Sequence, residues 1–216
     1  MPHRHASFPI LHLQLALAAL AAAMASAADS VYPIATGATN RNHVVVVNVG
    51  GALSDEAFAK AVERSASVVA VNIWTSSIPA SVVSRLVDGA TDVESLFGGK
   101  AKVAVFVERN EKGPSFLNYP AHWCMVDMRG LDRDKPDAKT LAMRQAKMVL
   151  KGLAYAGGGG ATLEKVCAMN CQSLTLAGMD KTLLVLSPMS YFPMLETLRA
   201  VGGPEILTPE RYLTAE

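Results

Sequence analysis

The chain has 216 residues, half of them hydrophobic and 18% charged, with a formal net charge of +1. That near-balance argues against a nucleic-acid binder, which needs a basic face for phosphates. The length suffices for one compact domain with a sizeable core.

The N-terminus reads as a secretory signal over residues 1–27. A short basic head, MPHRHASFP, precedes the Leu/Ala-rich run ILHLQLALAALAAAMA, and Ala25-Ser26-Ala27 supplies a small-residue cleavage site. The run is shorter than the ~20 residues a membrane span needs. Cleavage leaves 19 basic and 19 acidic residues and no later stretch apolar enough to span a bilayer. The expected location is secreted or periplasmic. In such an oxidising setting the three cysteines, Cys124, Cys167 and Cys171, close at most one bridge. Cys167 and Cys171 are close enough for a strained one, and buried thiols are the alternative.

Residues 28–42 read as a polar leader, and 43–216 as the folded domain. His43–Val49 is a β-branched run bounded by Gly50-Gly51, as in a strand covered on both faces. Ser54-Asp55-Glu56 starts a helix with Phe58, Ala61 and Val62 on one face. Ser67–Trp74 reads as a second strand, 80–87 as a short helix after Pro79, and Ala101–Glu108 as a third strand. Val93–Phe97 is too short to assign. Residues 109–120 read as a polar loop, His122–Met128 as a fourth strand, and 130–136 as a charged turn. Asp137–Ala156 is a long helix with Leu141, Met148 and Tyr155 recurring every seven residues. Thr182–Leu186 is short and apolar. Tyr191–Ala200 is a last helix, ended by Gly202-Gly203-Pro204. The alternation of elements predicts an α/β (α+β) layered domain, a mixed sheet packed by helices around a long helix near 137–157.

Several stretches invite chemistry. The four glycines, Gly157–Gly160, follow a helix and lack a GK[ST] sequence, so they read as a helix C-cap and not a phosphate loop. Lys151 and Tyr155 lie four apart on one helix face. His122 and Cys124, at i and i+2, share a strand face and form a conceivable nucleophile pair. Asp132, Asp134 and Asp137 form an acidic cluster, read first as a solvated turn and helix cap.

One pattern spans 151–190. It places Gly158, Cys167-Ala168-Met169 and Ser187-Pro188-Met189-Ser190 at fixed offsets, with seventeen residues between Met169 and Ser187. In that spacing the stretch resembles the archaemetzincin branch of the metzincin zinc peptidases, H-E-x-x-H-x-x-G-x-x-H-C, four residues, C-x-M, seventeen residues, C-x-x-C. There two His one helical turn apart face the zinc, a Glu activates its water, and a Gly turns the chain to a third His. A Met floors the pocket, and four Cys hold a second, structural zinc.

The resemblance implies a metzincin-like domain, and the departures imply a degenerate one. Lys151 and Tyr155 stand at the first two His positions, Gly152 at the general base and Ala161 at the third His. Gly158 and Met169 are kept. At the structural-zinc positions stand Thr162, Cys167, Ser187 and Ser190, with one sulfur retained. Outside the signal only His43 and His122 remain, too few for a three-His site. The expected protein is a pseudopeptidase with no cofactor. A pocket lined by Lys151 and Tyr155 is expected to take an anionic or peptide ligand, with no nucleic acid as partner and no membrane span after cleavage. The competing readings are a hydrolase using His122 with Cys124 or a metal at the Asp132/Asp134/Asp137 cluster, and an unrelated secreted α/β domain.

Overall fold

The structure is a computed structural model that describes residues 31–33, 43–69, 71, 73–109, 116–171 and 175–201. Five strands make one sheet: β1 (His43–Val49), β2 (Ile73–Ile78), β3 (Ala101–Glu108), β4 (Phe116–Asn118) and β5 (Trp123–Asp127). Their order is β2-β1-β3-β5-β4. β2, β1, β3 and β5 run parallel, and β4 is an antiparallel edge on β5.

The β1 valines explain the layering. Val44 and Val46 face one apolar core, and Val45, Val47 and Val49 face the other. Burying each valine contributes about 1.5–2 kcal/mol, so both faces must be covered. The first face carries α1 (Asp55–Val69), α4 (Ala138–Ala156) and α6 (Pro188–Ala200), through residues such as Phe58, Val149 and Met194. The second carries the shorter α2 (Ser81–Val87) and α3 (Val93–Leu96). A sixth helix, α5 (Leu176–Lys181), packs beside α4.

Some boundaries differ from the sequence expectation. Residues 67–69 belong to α1, not to a strand, and β2 starts at Ile73. Ala61, Ser65 and Val69 recur every four residues on one buried helix face, so tertiary burial overrides the β preference of Val68-Val69. The Ser65 hydroxyl lies 2.8 Å from the Ala61 carbonyl oxygen and 2.9 Å from that of Ala146, joining α1 to α4. β4 lies inside the expected loop 109–120. β5 begins at Trp123 because His122 takes a left-handed φ of 53°, which breaks the strand. α6 begins at Pro188, whose missing N–H costs nothing in a first helical turn. Residues 182–186 form no named strand. They run beside 166–168, with Leu183 N donating to Val166 O and Ala168 N to Val185 O. Part of the expected loose leader is docked: Tyr32 N donates to Leu96 O, and the Ser76 hydroxyl donates to Pro33 O. The signal segment and Gly202-Gly203-Pro204 lie outside the described residues. No described helix is long and apolar enough to cross a membrane.

The long helix has the expected ends. Asp137 Oδ1 accepts from Thr140 N at 2.7 Å and caps the start. At the far end Gly158 N donates to Tyr155 O, Gly159 N donates to Ala154 O, and Gly158 has φ 85°. That is a Schellman cap with glycine in its left-handed position. The deep face differs from the predicted seam. Leu141, Met148 and Tyr155 are half-buried, and Val149, Leu150, Leu153, Ala154 and Ala156 form the buried side.

Candidate functional site around the far end of the long helix

Three cations descend α4 at spacings of three and four: Arg144, Lys147 and Lys151, all buried. Arg144 is 2% exposed and fully engaged. Its Nε and Nη2 donate to Asp180, Nη1 and Nη2 to Asp134, and Nη1 also to Leu131 O, at 2.6–2.8 Å. Asp180 and then Asp134 hold this guanidinium charged, and it holds both carboxyls below their ordinary range. Lys147 Nζ donates to Met179 O at 2.8 Å and to Thr182 O at 2.6 Å, at the carbonyl-rich end of α5. Burial pushes the Lys147 ammonium down.

Lys151 comes next. Burial first, then the Lys147 ammonium, pushes it from 10.5 down to about 8, with the Cys167 sulfur acting the other way. Tyr155 is half-buried, and burial followed by nearby Cys124 raises its phenol. Gly152 faces the sheet. A Cβ there would stand 2.5 Å from Val105 Cγ1 and 3.1 Å from Val126 Cγ1. Ala161 is exposed beyond the turn. Lys151 is only 9% exposed and Met169 only 1%, and Tyr155, the other side chain expected to line a pocket with Lys151, is half-buried. Met169 lies in the core cluster that also holds Leu150 and Leu153.

The chain after the cap winds around one sulfur. Cys167 is buried, and its Sγ accepts from Met169 N at 3.3 Å and from Ser187 N at 3.2 Å. The Ser187 and Ser190 hydroxyls lie 3.3 Å apart, and Ser190 donates to Gly160 O at 2.8 Å. Thr162 N donates to Met169 O, and Thr162 O accepts from Cys171 N. The structure thus brings Cys167, Ser187 and Ser190 into one buried knot, with Thr162 hydrogen-bonded to its neighbours. All three cysteines are free, Cys171 being exposed.

The glycine run serves this packing. A Cβ at Gly157 would meet Met194 Cγ at 2.5 Å, and one at Gly159 would meet Ser190 O at 2.5 Å. The other candidate groups do not assemble. Cys124 is in the core beneath α4, with its thiol pushed up to about 12 by burial, so it is no nucleophile near neutral pH. His122 leaves the strand and lines a separate cleft with Asp92 and Lys102. Asp132 pairs with Arg109, Asp134 with Arg144, and Asp137 caps α4.

The sequence matches no protein-family model and no curated protein. In three dimensions the chain is similar to the crystal structure of archaemetzincin from Methanopyrus kandleri. The TM-score is 0.54 at 13% identity, over 74% of this chain and 97% of that one. The fold is therefore archaemetzincin-like.

The resemblance of residues 151–190 to the zinc peptidases implies a metal, and the side chains here do not suit it. An ammonium, a bare glycine, a phenol with a raised pKa and an exposed methyl group offer no N/S/O ligand set for Zn²⁺. The second position has one thiol, and its hydroxyls are committed to each other and to Gly160. Among the described residues no three His, Cys, Asp or Glu side chains group to hold a metal ion. The sequence reading missed the Arg144–Lys147 anchor. Its signal was cations at 144, 147 and 151 inside an otherwise apolar helix.

Proposed function

We propose that this is a secreted or periplasmic metallopeptidase-like protein that does not cut peptide bonds and works as a binding or regulatory scaffold. One observation carries the reading. Gly152, at the position of the family's general base, is packed so that its Cβ would stand 2.5 Å from Val105. A carboxylate there needs a rearranged helix–sheet contact as well as a substitution. The flanking Lys151 supplies positive charge where a cationic metal would bind, which repels Zn²⁺ while protonated. Export rests on the basic head, apolar run and Ala25-Ser26-Ala27 of the first 27 residues.

Elemental analysis of the purified protein, paired with cleavage of a quenched-peptide library, tests the inactivity. Sub-stoichiometric zinc and no cleavage above background are expected. One zinc per chain with chelator-sensitive cleavage overturns the reading. N-terminal sequencing of the exported protein is expected to begin at Ala28. An intact Met1 in the cell's soluble interior contradicts the location.

A further inference from the structure

Among the described residues eight large apolar side chains are exposed, and six of them fall between 163 and 192: Leu163, Val166, Leu183, Val185, Met189 and Phe192. They are 39–83% exposed. They lie on segments of chain that are hydrogen-bonded to one another. Leu183 N donates to Val166 O at 2.7 Å, Ala168 N to Val185 O at 2.9 Å, and Ser187 N to Cys167 Sγ at 3.2 Å. Ser190 then ties the start of α6 back to Gly160. The interior side of this knot is filled by Cys167, Ala168 and Met169, each at most 1% exposed. The outward apolar residues therefore have no role in the core.

We propose that this face is the interface of a two-fold dimer of the chain. Summed over these six residues, backbone included, the exposed fractions amount to roughly 600–700 Å², comparable with the largest patch of a typical monomer. Two copies set patch to patch bury about 1,200–1,400 Å², which reaches the range of specific interfaces. The rim carries both signs, with Glu164, Lys165 and Lys181 exposed around the apolar centre. A two-fold axis opposes a patch to itself, and a rim that carries both signs lets an acid on one copy face a base on the other. The net charge of +1 adds no long-range repulsion between copies. The proposal does not depend on whether the scaffold is catalytic.

The test is sedimentation equilibrium of the protein as processed by the producing cell, from 1 to 200 µM, with thermal unfolding over the same range. A dimer with Kd on the order of 10 µM or tighter is expected, with a Tm that rises with concentration. Leu183→Glu with Met189→Glu is expected to weaken the dimer at least tenfold. Both positions are exposed, so far-UV circular dichroism should stay unchanged. A wild-type monomer at 200 µM overturns the proposal, as does a doubly charged variant that dimerises equally well. Deletion of residues 202–216 separates the other occupant. If only the shortened chain dimerises, the tail covers the patch and the proposal fails.

Discussion

The backbone N–H of Ser187 donates to the sulfur of Cys167 at 3.2 Å, across twenty residues of chain. Met169 N donates to the same sulfur. Two buried donors thus depend on one soft acceptor. Cys167→Ala is expected to lower stability by about 2–4 kcal/mol, combining two unsatisfied N–H groups with a small cavity. Urea unfolding measures it. A loss below 0.5 kcal/mol shows that the sulfur is incidental.

The same knot tests the inherited-site reading. Ser187→Cys with Ser190→Cys places two more thiols beside Cys167, at hydroxyl positions now 3.3 Å apart. Three thiolates suit tetrahedral zinc, with water as the fourth ligand. The double variant is expected to take up one zinc per chain and to gain several degrees in Tm. Titration with a chromophoric chelator reads the stoichiometry. No uptake by a folded variant removes these serines from any former metal site.

Lys151 links stability to alkaline pH. Its folded value, about 8, lies below the ordinary 10.5. Between those values the unfolded chain binds more protons than the folded one, so stability rises with pH across this window. The gain is about 2–3 kcal/mol by pH 10.5, an order-of-magnitude figure for one buried ammonium. Lys151→Met is expected to be more stable than wild type at pH 7, with the gap closing towards pH 10.5. Parallel denaturation curves at pH 7 and 10 decide. A gap that does not change with pH rules out the titration.

Glu108 carries the opposite sign. It is 5% exposed and pairs in register with Asp127 on the adjacent parallel strand. Burial, then the Asp127 charge, raises its carboxyl above 4.5. The folded chain therefore holds this proton more tightly. The stability it contributes is full below 4.5 and is lost as pH rises through the folded value. Glu108→Gln is expected to gain on wild type as pH increases from 4 to 7. Equal pH profiles for the two proteins would falsify the coupling.

Gly152 tests the helix–sheet contact. Gly152→Ala gains helix propensity of about 1 kcal/mol. The clash with Val105 and Val126 costs about 1–3 kcal/mol, so net destabilisation is expected. Val105→Ala removes the methyl groups that would meet the new Cβ at 2.5 and 3.4 Å. The double variant should recover at least half the loss, and a double-mutant cycle on thermal unfolding measures that coupling. Additive effects mean the contact relaxes by another route.

Local physical chemistry made β1, β3 and the span of α4 legible. Runs of valine next to a glycine pair, Gly50-Gly51 after β1 and Gly98-Gly99 before β3, and an Asp-to-Gly frame around an amphipathic segment admit few alternatives. The glycine cap was legible for the same reason, since Gly158 needs a left-handed φ. β4 was not, because three residues gain strand geometry only by pairing with β5. The end of α1 was not, because burial of Val69 outweighs its β preference.

At the site, the sequence by itself determined which chemistry is missing. No packing can supply imidazoles or a carboxylate that positions 151, 152, 155 and 161 do not encode. Only the tertiary structure decided what surrounds those positions. Arg144 meets Asp134 and Asp180, Lys147 meets the end of α5, and Cys167 gathers Ser187, each across ten to thirty-six residues of chain. Such pairings depend on where distant segments are folded against α4, and no local periodicity records that.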